Sequence, residues 1–134
     1  MNIKLIISII LLVPFITDNG IDKIYAVEVE EWETIKSWEG SGIKNTEPFQ
    51  ISADVWRVVW VSEASGFSKE SGGAGHIFQL YLQKPGDDLF MEILANVANE
   101  VKSSDTSYVY RQGRFYLQMN AGNGNWEVKV QIPK

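Results

Sequence analysis

The chain of 134 residues is predicted to be all-β: an antiparallel β-sandwich, jelly-roll-like or immunoglobulin-like, of about seven to eight strands. Two observations predict it. From residue 46 to the end, apolar and polar residues alternate with period two, the spacing that lets a strand bury one face and wet the other. Between the alternating runs stand clusters of Gly, Pro, Ser, Asn and Asp, residues that bend the chain because of positive φ, fixed φ or local side-chain hydrogen bonds.

The N-terminus has a different character. Residues 1–4 are short and polar with one Lys, and residues 3–16 are almost unbroken aliphatic sequence, the form of an export signal. A membrane span needs about 20 apolar residues, more than this run supplies. The chain turns polar at Thr17-Asp18-Asn19-Gly20, and Ala26 is a small residue where a peptidase could cut. Residues 1–26 are therefore expected to be a signal peptide and residues 27–134 a single domain, long enough to bury one core and too short for two. The stretch Glu28-Val29-Glu30-Glu31-Trp32-Glu33 reads as an acidic, solvated arm over residues 27–33. It lacks the Asp, Asn and Gly spacing of a calcium loop.

Strands are expected at 46–52, 54–63, 76–83, 89–97, 106–111, 114–120 and 125–133. In the last, Trp126, Val128, Val130 and Ile132 point one way and Glu127, Lys129 and Gln131 the other. Phe115, Leu117 and Met119 alternate likewise, and Ala121-Gly122-Asn123-Gly124 tolerates positive φ, so these two strands are expected to form a hairpin. Around Arg57, Val55, Val59 and Val61 alternate with Trp56, Val58 and Trp60, which predicts a central strand or one whose second face is partly covered. Residues 89–101 also fit helical spacing, through Leu89, Ile93, Val97 and Val101; a strand is preferred because every neighbour is one.

The net charge is −5, and the leader's Lys4 and Lys23 balance its Asp18 and Asp22, so the body carries the same excess. An acidic body argues against nucleic acid or anionic membrane as partner. There is no Cys, hence no thiol nucleophile, thiolate metal site or lipoprotein anchor. A cysteine-free exported domain points to a bacterial, Gram-positive secretor, because small exported domains elsewhere lean on disulfides.

The stretches Trp38-Glu39-Gly40-Ser41-Gly42-Ile43-Lys44-Asn45-Thr46-Glu47-Pro48-Phe49, Gly113-Arg114-Phe115-Tyr116-Leu117-Gln118-Met119-Asn120 and Asn125-Trp126-Glu127-Val128-Lys129-Val130 resemble small exported bacterial β-sandwich proteins of unassigned function. The resemblance implies fold and compartment; it carries no active site.

Candidate chemistry is sparse. His76, the only histidine, is expected to be an exposed or capped side chain at a strand edge, since no Gly-x-Ser-x-Gly elbow accompanies it. The run Gly72-Gly73-Ala74-Gly75 is expected to be a mobile hairpin loop, because it feeds a strand where a phosphate loop would feed a helix. Carboxylates at Asp54, Glu63, Asp87, Asp88, Glu92 and Asp105 allow a hydrolase only if two of them converge across a cleft. Among the aromatics, Trp56, Trp60, Phe115 and Trp126 sit on apolar phases and are expected in the core. Tyr108 and Tyr110, two apart on one strand face, and Tyr116, beside Arg114 and Gln118, are candidates for a platform on which sugar rings stack.

No catalytic residue, metal or cofactor is expected. The expected function is a secreted, non-catalytic binding or surface-interaction protein, directed at a cell-wall glycan or another protein through Tyr108, Tyr110, Tyr116 and Arg114. The alternatives are a small hydrolase using dispersed carboxylates and an acidic inhibitor or immunity-like protein.

Overall fold

The computed structural model describes residues 9–16 and 22–134, with side chains from residue 30 onward. The chain divides into two units, Met1–Glu33 with Pro133–Lys134, and Thr34–Ile132. In the first, β1 (Ile9–Ile16) and β2 (Asp22–Val29) pair antiparallel, from Ile9 opposite Val29 to Ile16 opposite Asp22. The Lys134 amide donates to the Glu31 carbonyl at 3.0 Å. Of the expected signal peptide, residues 1–8 and 17–21 lie outside the described residues.

The second unit is all-β and antiparallel, as the period-two alternation predicts. Its strands are β3 (Trp32–Asn45), which begins in the first unit, β4 (Phe49–Ile51), β5 (Trp56–Ala64), β6 (Ile77–Lys84), β7 (Asp87–Ala98), β8 (Lys102–Val109) and β9 (Gly113–Pro133). Hydrogen bonds join them into one seven-stranded sheet in the order β7-β6-β9-β5-β8, with β3 and β4 also paired to β9. The sheet curls into a half-barrel. The expected central strand is β5, held between β9 and β8, and residues 87–98 form a strand rather than a helix.

β9 corrects the expected hairpin. Residues 113–133 run as one strand. Phe115, Leu117, Met119 and Ala121 are buried, then Gly124, Trp126, Val128 and Val130, so the inward phase changes from odd to even numbers across Gly122-Asn123. Asn123 takes φ of 57°, and one such residue inserted in a strand inverts every side chain beyond it, as a β-bulge does. The ladder changes neighbour there too: β9 pairs with β6 up to Gly122 and with β5 from Gly124. The positive φ that the composition anticipated is present, but it kinks a strand where a turn was expected.

The kink lets both halves of β9 line one core. Leu117 and Met119 share it with Phe78, Leu80 and Leu82 of β6, and Val128 and Val130 share it with Trp56, Val58 and Trp60 of β5. Rings meet between residues that are not ladder partners: Trp60 and Phe78 lie 5.4 Å apart between centroids, Trp56 and Phe115 5.5 Å. All four aromatics assigned to the core from sequence are there.

β3 is the element with no sequence expectation. Only Trp38 along it is buried, and its hold is the main-chain ladder to β9, continued by the Thr46 amide donating to the Leu117 carbonyl at 2.9 Å. A short helix, α1 (Gly66–Glu70), follows β5 where a turn was expected. The expected strand at 46–52 shrinks to Phe49–Ile51, and that at 106–111 moves to Lys102–Val109.

Candidate functional site

Three features of the second unit combine polar chemistry with defined geometry. The first surrounds His76, which is fully buried, correcting the expectation of an exposed side chain. Its Nδ1 lies 2.7 Å from the Glu100 carbonyl and its Nε2 2.8 Å from Ser62 Oγ. A carbonyl only accepts, so Nδ1 carries the hydrogen, and Nε2 of the neutral ring accepts from the Ser62 hydroxyl. A Ser-His pair can begin nucleophilic chemistry. Here Ser62 is also fully buried, and Gly124 lies against the imidazole so closely that a Cβ there would stand 2.5 Å from the ring. The pair is a structural bolt. The Gly72-Gly73-Ala74-Gly75 run, expected to be mobile, is tied to it: the His76 amide donates to the Gly73 carbonyl at 3.0 Å, Asn99 Oδ1 accepts from the Gly75 amide, and Asn123 Nδ2 donates to the Gly75 carbonyl.

The second feature is a groove of about 560 Å³ between β5, β9 and the Glu39, Gly40 and Ser41 stretch of β3. Trp126 lies against Gly40, and Val61, Glu63, Asn125 and Glu127 complete the lining. Three carboxylates thus share one concavity, though only Glu63 stood among the acids singled out from sequence. Glu39 was hidden in the unforeseen β3, and Glu127 reads as an ordinary outward residue of β9. A glycosidase requires one carboxyl kept protonated as the acid. Glu63 is pushed the other way, below the ordinary glutamate range, first by the hydrogen bond from Lys69 at 3.1 Å, then by the charges of Lys69 and Lys102. Both partners are exposed, so the pair adds little to stability. What it adds is present above the unfolded glutamate pKa and is lost as pH falls through the lowered value. In an NMR pH titration, Glu63 is expected to ionise below the usual glutamate value, and Lys69→Ala to raise it while the denaturation midpoint stays put. A Glu63 that titrates normally in the wild type contradicts this.

The third feature is the outward face of β7, β6 and β9. Asn120 Nδ2 donates to Gln79 Oε1 at 3.0 Å, and Gln79 Nε2 donates to Asn96 Oδ1 at 3.4 Å, a row crossing three strands. In a second row the Tyr116 hydroxyl donates to Gln83 Oε1 at 2.6 Å, and Gln83 Nε2 donates to Gln118 Oε1. Tyr81, opposite Gln118 in the ladder, stands between the rows. These side chains follow from register: residues 79, 81 and 83 of β6 and 116, 118 and 120 of β9 are the polar phase of strands whose other phase fills the core.

The four candidate residues divide between two places. Tyr116 lies on this amide face, and Arg114, two residues earlier on the same strand face, is exposed opposite Gln50 of β4. Tyr108 lies opposite Arg57 on β5, whose other neighbour is Gln131, 15 positions beyond Tyr116 along β9. Tyr110 follows the end of β8 and is exposed. The sheet brings Arg114 and Tyr116 together and holds Tyr108 in its other half. The amides were legible as polar-phase residues, but only pairing of β6 with the first half of β9 makes them a network.

Among the described residues no group of three or more His, Asp or Glu is placed to hold a metal ion, and no helix is long and apolar enough to cross a membrane. No protein-family model matches the chain, and no curated protein matches it.

Proposed function

We propose that this chain is an exported, non-catalytic bacterial β-sandwich protein, the two halves of its curled sheet acting as the sandwich layers, and that the outward face of β7, β6 and β9 binds an uncharged cell-wall glycan. The observation that carries this is the pair of hydrogen-bonded amide and tyrosine rows on that face. Sugar hydroxyls donate and accept without charge, and a carboxamide offers both functions in one plane. Amides already ordered by one another lose less rotamer freedom on binding than free ones. Tyr81 and Tyr116 add ring surface for the C–H faces of a pyranose.

The test is affinity electrophoresis through gels containing neutral polysaccharides, with N-acetylhexosamine polymers among them. Tyr116→Ala, at about 1–2 kcal/mol for a truncated aromatic contact, is expected to weaken retention roughly tenfold. Retention is expected to change little with added salt, since neither side of the contact is charged. Unchanged retention in Tyr116→Ala contradicts the placement. If Tyr108→Ala and Tyr110→Ala abolish retention instead, the site belongs at the end of β8. Salt-sensitive capture of a cationic protein supports the acidic-inhibitor alternative.

The hydrolase alternative has its own observation, the convergence of Glu39, Glu63 and Glu127 on one groove. Release of reducing ends from a polysaccharide, abolished by Glu39→Gln or Glu127→Gln, would establish it.

A further inference from the structure

β7 ends the strand order, so one long side of it has no neighbouring strand among the described residues. Ser107 of β8 reaches that side at one point, its hydroxyl donating to the Leu94 carbonyl at 2.7 Å. Before Leu94 no strand pairs with that side among the described residues, although Arg111 reaches Glu92 and the Phe90 ring, and Leu89, Met91 and Ile93 are 98%, 58% and 59% exposed. They alternate, so they form one apolar stripe on the outward face. Edge strands are ordinarily guarded by Lys, Pro or charges along the edge. β8, at the other end of that order, has such guards in Lys102 and Asp105 among serines and threonines. Residues 89–93 have none on the exposed face, and Glu92 is on the opposite phase, 3.7 Å from Arg111; the guard the strand has is irregularity, since its ladder to β6 shifts register on either side of residues 91–93.

We propose that two copies of this chain associate by antiparallel pairing of β7 with β7 over residues 88–94, about a twofold axis at Met91. The stretch is complementary to itself. About that axis Leu89 faces Ile93 of the second copy and Met91 faces its counterpart, so apolar meets apolar at every outward position. No like charges face each other directly: Asp88 faces Leu94 and Glu92 faces Phe90. The two Asp88 stand six positions apart, about 20 Å at ~3.4 Å per residue and beyond the Debye length of about 8 Å in physiological salt, while the two Glu92, two positions apart, each have Arg111 of their own copy at 3.7 Å. A β7-β8 contact between copies would place the stripe against Lys102 and Asp105 and would not close. Three apolar side chains per copy fall well short of the roughly 800 Å² per partner of a stable dimer, so association is weak and depends on concentration. Pairing would also join the amide faces of two copies into one platform, although the proposal does not depend on glycan binding.

Sedimentation velocity of the purified chain, from micromolar to about 0.5 mM, tests it. The mass is expected to rise toward a dimer with concentration, more so with added salt. Met91→Lys and Leu89→Lys are expected to remain monomeric, and Ile43→Lys, on exposed β3, to behave as wild type. Because the chain has no Cys, Met91→Cys under mild oxidation is expected to give a disulfide-linked dimer far faster than Phe67→Cys, although Phe67, on α1, is the more exposed. A wild type monomeric throughout, a Met91→Lys variant that associates normally, or equal cross-linking at 67 and 91 would overturn it.

Discussion

Gly124→Ala is expected to destabilise the protein by roughly 2–6 kcal/mol, combining overpacking of about 1–3 with a buried hydrogen bond left unmade at about 1–3. The added Cβ would stand 2.5 Å from His76 Cδ2 and Nε2 and 2.6 Å from the Glu63 carbonyl. The ring cannot step aside without giving up Ser62 and the Glu100 carbonyl, and the carbonyl belongs to the backbone of β5. The double variant with His76→Ala separates this cause from a general intolerance at the kink. Removing the ring relieves most of the clash, so the two losses are expected to sum to clearly more than the double variant shows in urea denaturation. Strict additivity would mean that the ring is not what Gly124 accommodates.

Trp56→Ala is expected to cost about 3–5 kcal/mol, in the range for deleting a large aromatic from a core. Trp56 is fully buried, and its ring meets Phe49 and Phe115 at 5.8 and 5.5 Å. Its Nε1 donates to the Arg111 carbonyl at 2.8 Å, which ties the start of β5 to the segment joining β8 and β9. Trp56→Phe keeps the ring contacts in part and drops the donor, and is expected to retain at least half of the lost stability. A Trp56→Ala variant within about 1 kcal/mol of wild type would contradict the packing of β4, β5 and β9 at this end of the core.

The strands that bury one face announced themselves. Phe78, Leu80 and Leu82 of β6, and Trp126, Val128 and Val130 of β9, alternate so plainly that strand and core followed from the sequence. β3 did not, because only Trp38 of its fourteen residues is buried; it is held largely by its main-chain ladder to β9, which leaves no trace in residue type, with Trp126 and Gln131 adding side-chain bonds to Gly42 and Thr34. The groove bounded by Glu39, Gly40 and Ser41 was invisible with it. The kink in β9 was half legible. Gly122-Asn123-Gly124 suits a turn or a bulge equally, since both need positive φ, and the choice depends on β6 and β5 taking successive halves of one ladder. A lone histidine beside three glycines looks exposed until the chain returns Ser62 and Glu100 to both sides of it. Of the tyrosines, Tyr116 acquired partners through register with Gln83, whereas Tyr108 and Tyr110 looked like one face until β8 ended at Val109.

The most direct measurement follows the side-chain amide resonances of Gln79, Gln83, Gln118 and Asn120 by ¹⁵N NMR while a neutral oligosaccharide is added. Shifts concentrated on these four groups and on Tyr81 and Tyr116 are the expected result. Shifts confined to the groove at Gly40, Asn125 and Trp126, or no shift with any neutral sugar, would contradict a glycan-binding face on β7, β6 and β9.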